Sequence, residues 1–106
     1  MIKIKVSEYS TTPGGRYISD GKYSGEDFRT SVLLPKYEEA LENKDTILVD
    51  LDDCYGMPTS FLEEAFGGLV RIKKSRKIAE ILQIKSEDRP DLVEKVRGYI
   101  RDAEVK

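Results

Sequence analysis

The chain contains no histidine and no tryptophan, and its one cysteine is Cys54. Without histidine, the commonest general base and the commonest transition-metal ligand are both missing. A zinc site, a Ser/His/Asp triad and a Cys/His dyad are therefore excluded, and no tightly bound metal or cofactor is expected. One cysteine permits no internal disulfide. Cys54 lies in an acidic loop, which raises a thiol pKa, so it does not read as a nucleophile. Long apolar runs are missing too: Ile47 to Leu51 is far short of the roughly 20 residues that span a bilayer. The N-terminal MIKIKVS alternates charge and apolarity and has no signal-peptide core. Charge of one sign is also scarce. The net charge of −2 exerts no global pull on nucleic acid or on an acidic membrane. A cytoplasmic protein is expected, with no nucleic-acid and no membrane partner.

What is present is the composition of a soluble globular protein, 39% hydrophobic and 36% charged over 106 residues. That length predicts a single domain, 1–106, with one sheet and a few covering helices. Ile2 to Val6 alternate apolar residues with Lys, the period of a half-buried strand. Ser10 to Gly15 read as a loop. Asp20-Gly21, set between β-prone pieces from Arg16 to Tyr23, is a hairpin signal. Ser24 then starts a helix whose first turn holds Glu26 and Asp27. Phe28, Val32, Leu33, Tyr37 and Ala40 give that helix its apolar side. Pro35 predicts a kink or break near Leu34, and Asn43 a stop.

Thr46 to Asp52 forms a near-continuous apolar run ending in acids, the pattern of a central strand covered on both faces. Leu62, Ala65, Phe66 and Leu69 recur at helical spacing. Ser60 and Glu63 make a capping box before this stripe, with Thr59 as the other candidate cap. Gly67-Gly68 inside the stripe predicts close approach of the helix to the sheet. Ile78 to Ile84 reads as another strand. Pro90 opens a last helix with Leu92, Val93, Val96, Ile100 and Ala103 on its buried face. The alternation of strands and helices argues for a partly parallel sheet: an α/β fold with a mixed sheet of about four strands and about three helices.

The strongest constellation is the turn from the buried strand through Asp52-Asp53-Cys54-Tyr55-Gly56-Met57-Pro58 into Thr59-Ser60-Phe61. It lies where open α/β sheets bind ligands. Glu63 and Glu64 point about 100° apart on a helix and cannot share a proton. Glu63 reaching back to the cap and Glu64 meeting solvent or a partner is the simplest reading. Asp50, Asp52 and Asp53 with the glutamates could hold Mg²⁺. Arg71, Lys73, Lys74, Arg76 and Lys77 read as a solvated basic face, since no aromatics accompany them.

The stretches SFLEEAFGGLVR, RYISDGKYSGEDFR and LLPKYEEAL, spanning roughly Arg16 to Arg71, resemble the STAS-like family of unknown function found in bacterial and phage genomes. More distantly the chain is similar to the anti-sigma-factor antagonists. Their serine at the start of the helix after the central strand is phosphorylated by a partner kinase, and this controls binding. Their pattern at that turn is Asp-Ser-Ser-Gly. Here Pro58 stands for the Asp and Phe61 for the Gly, while Thr59 and Ser60 align with the hydroxyl pair. The resemblance implies a protein-binding regulatory module, as a monomer or homodimer, with a histidine-kinase-like ATPase as partner. Thr59 and Ser60 are then the candidate phosphoacceptors. Asp53, Tyr55, Gly56, Met57, Phe61 and Glu64 are candidate partner contacts, joined by Arg16, Tyr17 and Asp20. No residue is assigned a catalytic role. The alternatives are a small Mg-dependent enzyme using Asp52, Asp53, Glu63 or Glu64, and a constitutive structural partner with no switch.

Overall fold

The computed structural model describes residues 1–103. Strand β1 (Ile2–Lys5) runs into a single helical turn, α1 (Val6–Tyr9). A loop with one 3-10 turn, Ile18–Asp20, leads to α2, which spans residues 25–43. Strand β2 (Ile47–Asp50) is followed by α3 at residues 59–73. A short α4 (Ile78–Ile81), strand β3 (Leu82–Lys85) and α5 (Pro90–Asp102) complete the chain. The sheet has the order β1-β2-β3, and both pairings are parallel.

Three parallel strands and five helices replace the mixed sheet of about four strands and three helices. The missing strands are the expected hairpin. Residues Tyr17 to Tyr23 bury neither face: Tyr17, Ile18 and Tyr23 are all exposed. Asp20 serves as a local cap instead of a hairpin corner, its carboxylate accepting from the Tyr17 amide at 2.9 Å. A second difference is at Ile78 to Ile84. Its first four residues coil into α4, the Leu82 amide bonding back to Ile78 O, and only the remainder is strand.

Pro35 does not break its helix. Residues Arg29–Leu33 form a π turn, and the Leu34 amide bonds back to Arg29 O, five residues earlier. The wider turn makes room for a ring that would otherwise crowd the preceding carbonyl. The helix continues from Leu34 to Asn43 and stops at Lys44 in the left-handed conformation, φ 54°. The Ser24 hydroxyl caps its start, accepting from the Asp27 amide at 3.0 Å.

Ile4, Ile47, Val49, Leu82 and Ile84 point to the helices and are buried. The opposite sheet face shows Lys3, Lys5, Leu48, Asp50, Gln83 and Lys85, none of them buried. The expectation of a central strand covered on both faces is thus corrected. The cause is topological: strands laid down in one direction, with crossovers of one hand, put every crossover helix on one face. No helix among the described residues is long and apolar enough to cross a membrane.

Candidate functional site

Two loops meet at the carboxyl ends of β1 and β2. The Tyr55 amide donates to Thr11 O at 2.7 Å, joining residues 51–58 to the loop after α1. Cys54 Sγ lies 3.6 Å from Ser10 O. Burial first, then the nearby aspartates Asp53, Asp50 and Asp52, raises its pKa. Asp53 has φ 70° and pairs with Lys5 at 2.7 Å. Tyr55 is 89% exposed, Gly56 is exposed and Met57 is half-buried. On the first loop, Tyr17 and Asp20 are exposed and Arg16 is half-buried. A cavity of about 240 Å³ lies under Tyr55 and Met57, closed on its far side by Arg89 and Leu92 of the α5 start.

Helix α3 begins at Thr59, with Pro58 as its N-cap residue and no side-chain cap. Thr59 and Ser60 therefore occupy the first two helical positions and are not caps. Thr59 is exposed and Ser60 half-buried. The capping box is corrected too: Glu63 does not turn back to the helix start. Its carboxylate accepts from Arg16 Nη1 at 2.5 Å and from Arg71 Nη1 at 2.6 Å. Those two arginines, Arg71 first, hold the Glu63 carboxyl below its ordinary range.

Two candidate contacts lie inside the molecule. Phe61 is fully buried and packs on Phe28, ring centroids 5.6 Å apart. Glu64 is 9% exposed, so it meets neither solvent nor partner. It accepts from the buried Arg29, which is 7% exposed. Arg29 Nη1 donates to Glu64 Oε2 at 2.6 Å and to Glu64 O at 2.8 Å. Arg16 Nη1 reaches Glu64 Oε1 at 3.3 Å. Arg29 Nε is the one buried side-chain polar atom without a partner among the described residues.

Gly67 and Gly68 serve this cluster and not the sheet, contrary to expectation. A Cβ on Gly68 would overlap Arg29 Nη1, and one on Gly67 would meet Glu63 Oε2 and Arg71 Nη1. Both helices carry a π turn here, Arg29–Leu33 and Glu63–Gly67. Arg29 was not among the sequence candidates. The signal for it was the glycine pair, which marks a close approach by something, here a guanidinium.

The acidic residues are dispersed. The Asp52 carboxylate accepts from Ser86 Oγ at 2.8 Å and from the amides of Glu87 and Asp88 at 2.9 and 3.0 Å. Those donors, the Glu87 amide foremost, lower its pKa. Asp50 faces Lys85 at 3.8 Å. In the basic run, Arg71 and Lys73 pair with Glu63 and Glu38. Arg76 donates to the carbonyls of Ile100, Arg101 and Ala103, closing the end of α5.

The family model described as STAS-like domain of unknown function (DUF4325) matches residues 24–92, from the capping Ser24 of α2 to Leu92 in α5. The chain belongs to this family. The match starts later and runs further than the stretch from Arg16 to Arg71 that suggested it, taking in β3 and the start of α5. No curated protein and no solved structure matches the chain.

Proposed function

We propose that the chain is a one-domain regulatory module of the cytoplasm that binds a protein through the two joined loops. One observation carries this reading. Tyr17, Ile18, Tyr23 and Tyr55 are four of the seven large hydrophobic residues exposed among the described residues, and all four lie on these loops. Aromatic residues that combine a large apolar body with a polar tip are the usual anchors of protein interfaces. Catalysis by the acidic residues finds no such support, because Asp50, Asp52, Asp53, Glu63 and Glu64 each engage a different set of protein donors.

Thr59 is the proposed control point, acted on by a histidine-kinase-like ATPase. It is exposed beside the loops, in the first turn of a helix without a capping side chain. A phosphate there would meet free amide groups and the positive end of the helix dipole. Ser60, half-buried, is the less accessible acceptor.

The test is affinity capture with the wild type, a Tyr17→Ser/Tyr55→Ser double variant and an Ile72→Ser control on the exposed side of α3. A partner retained by the control and lost at least tenfold by the double variant, at unchanged thermal midpoint, supports the loop surface. Equal retention by all three overturns it. For the switch, Thr59→Asp should change affinity for that partner by tenfold or more while Thr59→Ala binds as wild type. Identical binding by both leaves Thr59 as an ordinary helix residue.

A further inference from the structure

Strand β3 ends the sheet, and its outer side has no neighbour among the described strands. The Leu51 amide donates to Lys85 O at 2.9 Å, so Lys85 turns its backbone groups toward β2. By the alternation of a strand, Gln83 does the same and Ile84 turns its N–H and C=O outward. The Leu82 amide is used by Ile78 O, which leaves the Leu82 carbonyl free beside them. Along this edge runs a groove of about 450 Å³ between β3, α4 and α5. Its floor is apolar, from Leu82, Ile84, Ile100 and Ala79.

The groove is flanked by Arg97 and Arg101 of α5, against one carboxylate, Glu80. Across the edge, on the open sheet face, stands Lys85. Three cations and one anion therefore border the edge of a chain whose net charge is −2. The arginines have only local partners, Glu94 at 3.2 Å and Asp102 at 3.1 Å, in pairs whose side chains are 60–77% exposed. Such pairs are weak and exchange readily for a better-placed carboxylate. The other sheet edge, at β1, is bordered by a smaller cavity of about 220 Å³.

We propose that the β3 edge is a second binding surface, distinct from the loops, which takes an extended acidic segment of a partner protein as a fourth strand. The backbone of that segment pairs with Leu82 and Ile84. Alternate side chains face the sheet's two sides: apolar residues enter the groove over Leu82 and Ile100, and carboxylates at its rim meet Arg97 and Arg101. Strand addition of this kind takes affinity from main-chain bonds and specificity from every second side chain. A positively bordered edge disfavours a second copy of itself and favours an acidic occupant.

The probe is a library of short random peptides displayed on phage, selected against the full chain. The enriched sequence, made as a free peptide, is then titrated into ¹⁵N-labelled protein. Enriched peptides should alternate apolar and acidic residues, and the largest amide shifts should fall on Leu82 to Lys85. An Arg97→Glu/Arg101→Glu variant, altered only at exposed positions, should bind the peptide at least tenfold more weakly. Tyr17→Ser/Tyr55→Ser should bind it as wild type, which separates this surface from the loop reading. The proposal is overturned if nothing is enriched, if the enriched peptides have no acidic preference, or if the shifts fall away from β3. It is equally overturned if the protein alone sediments as a dimer with the Ile84 amide protected, since the occupant is then a second copy.

Discussion

Arg29 and Glu64 form a buried ion pair whose bonds are local but whose residues are 35 positions apart in the chain. Burying two charges is repaid only by good geometry, whereas removing one partner strands the other. Arg29→Met or Glu64→Leu alone should therefore cost about 3–5 kcal/mol, and the double variant much less than their sum. Denaturant midpoints of the three proteins measure this; additive losses would show that the two groups do not interact. Gly68→Ala puts a methyl group on Arg29 Nη1 and should cost about 1–3 kcal/mol by overpacking. Gly56→Ala, with nothing within 4 Å of the new Cβ, should change little. Glu63 adds a pH dependence of known sign. Its folded pKa is lowered, chiefly by Arg71. The stability it contributes is thus present above the unfolded value of about 4.3 and is lost as pH falls through the folded one. Arg71→Gln should flatten that acid limb, compared as urea midpoints at neutral pH and in acid; an unchanged limb would show that the Arg71 bond is not what lowers the pKa.

At the scale of elements, the helix stripes were legible and the charged seam between helices was not. Leu62, Ala65, Phe66 and Leu69 recur at helical spacing and are all fully buried, because apolar periodicity records which face meets a core. Arg29 has no such pattern, since an isolated charge on a helix looks the same in sequence whether it faces water or a partner. Asp20-Gly21 misled for a different reason: a hairpin signal is local, while a strand also needs a neighbour and a buried face, and Tyr17 to Tyr23 has neither. For the acidic turn, composition suggested a cation site, while the structure makes Asp52 a fastener between the end of β2 and the start of α5. Asp52→Ala removes a carboxylate that accepts from Ser86, Glu87 and Asp88. Hydrogen bonds to a charged group contribute about 1.5–3 kcal/mol, and calorimetry should show a loss of that order. A change below about 0.5 kcal/mol would mean that water replaces Asp52 without penalty.

For the whole molecule, the sheet order equals the chain order, and this sets how evenly the strands are protected. Strand β2 has a neighbour on both sides and its Ile47 and Val49 are fully buried, so its amides should exchange with solvent deuterium slowest. The Ile84 amide, turned outward at the β3 edge, should exchange among the fastest of the strand amides. The reverse order would contradict the assigned register. The same order bears on how the chain comes off the ribosome. Each strand is added beside the one made just before it, so the sheet grows at a single advancing edge. No strand has to be threaded between two already paired, as the sheets of many α/β proteins require. Synthesis and assembly can therefore proceed in the same direction, and β3 with α5 closes the structure last.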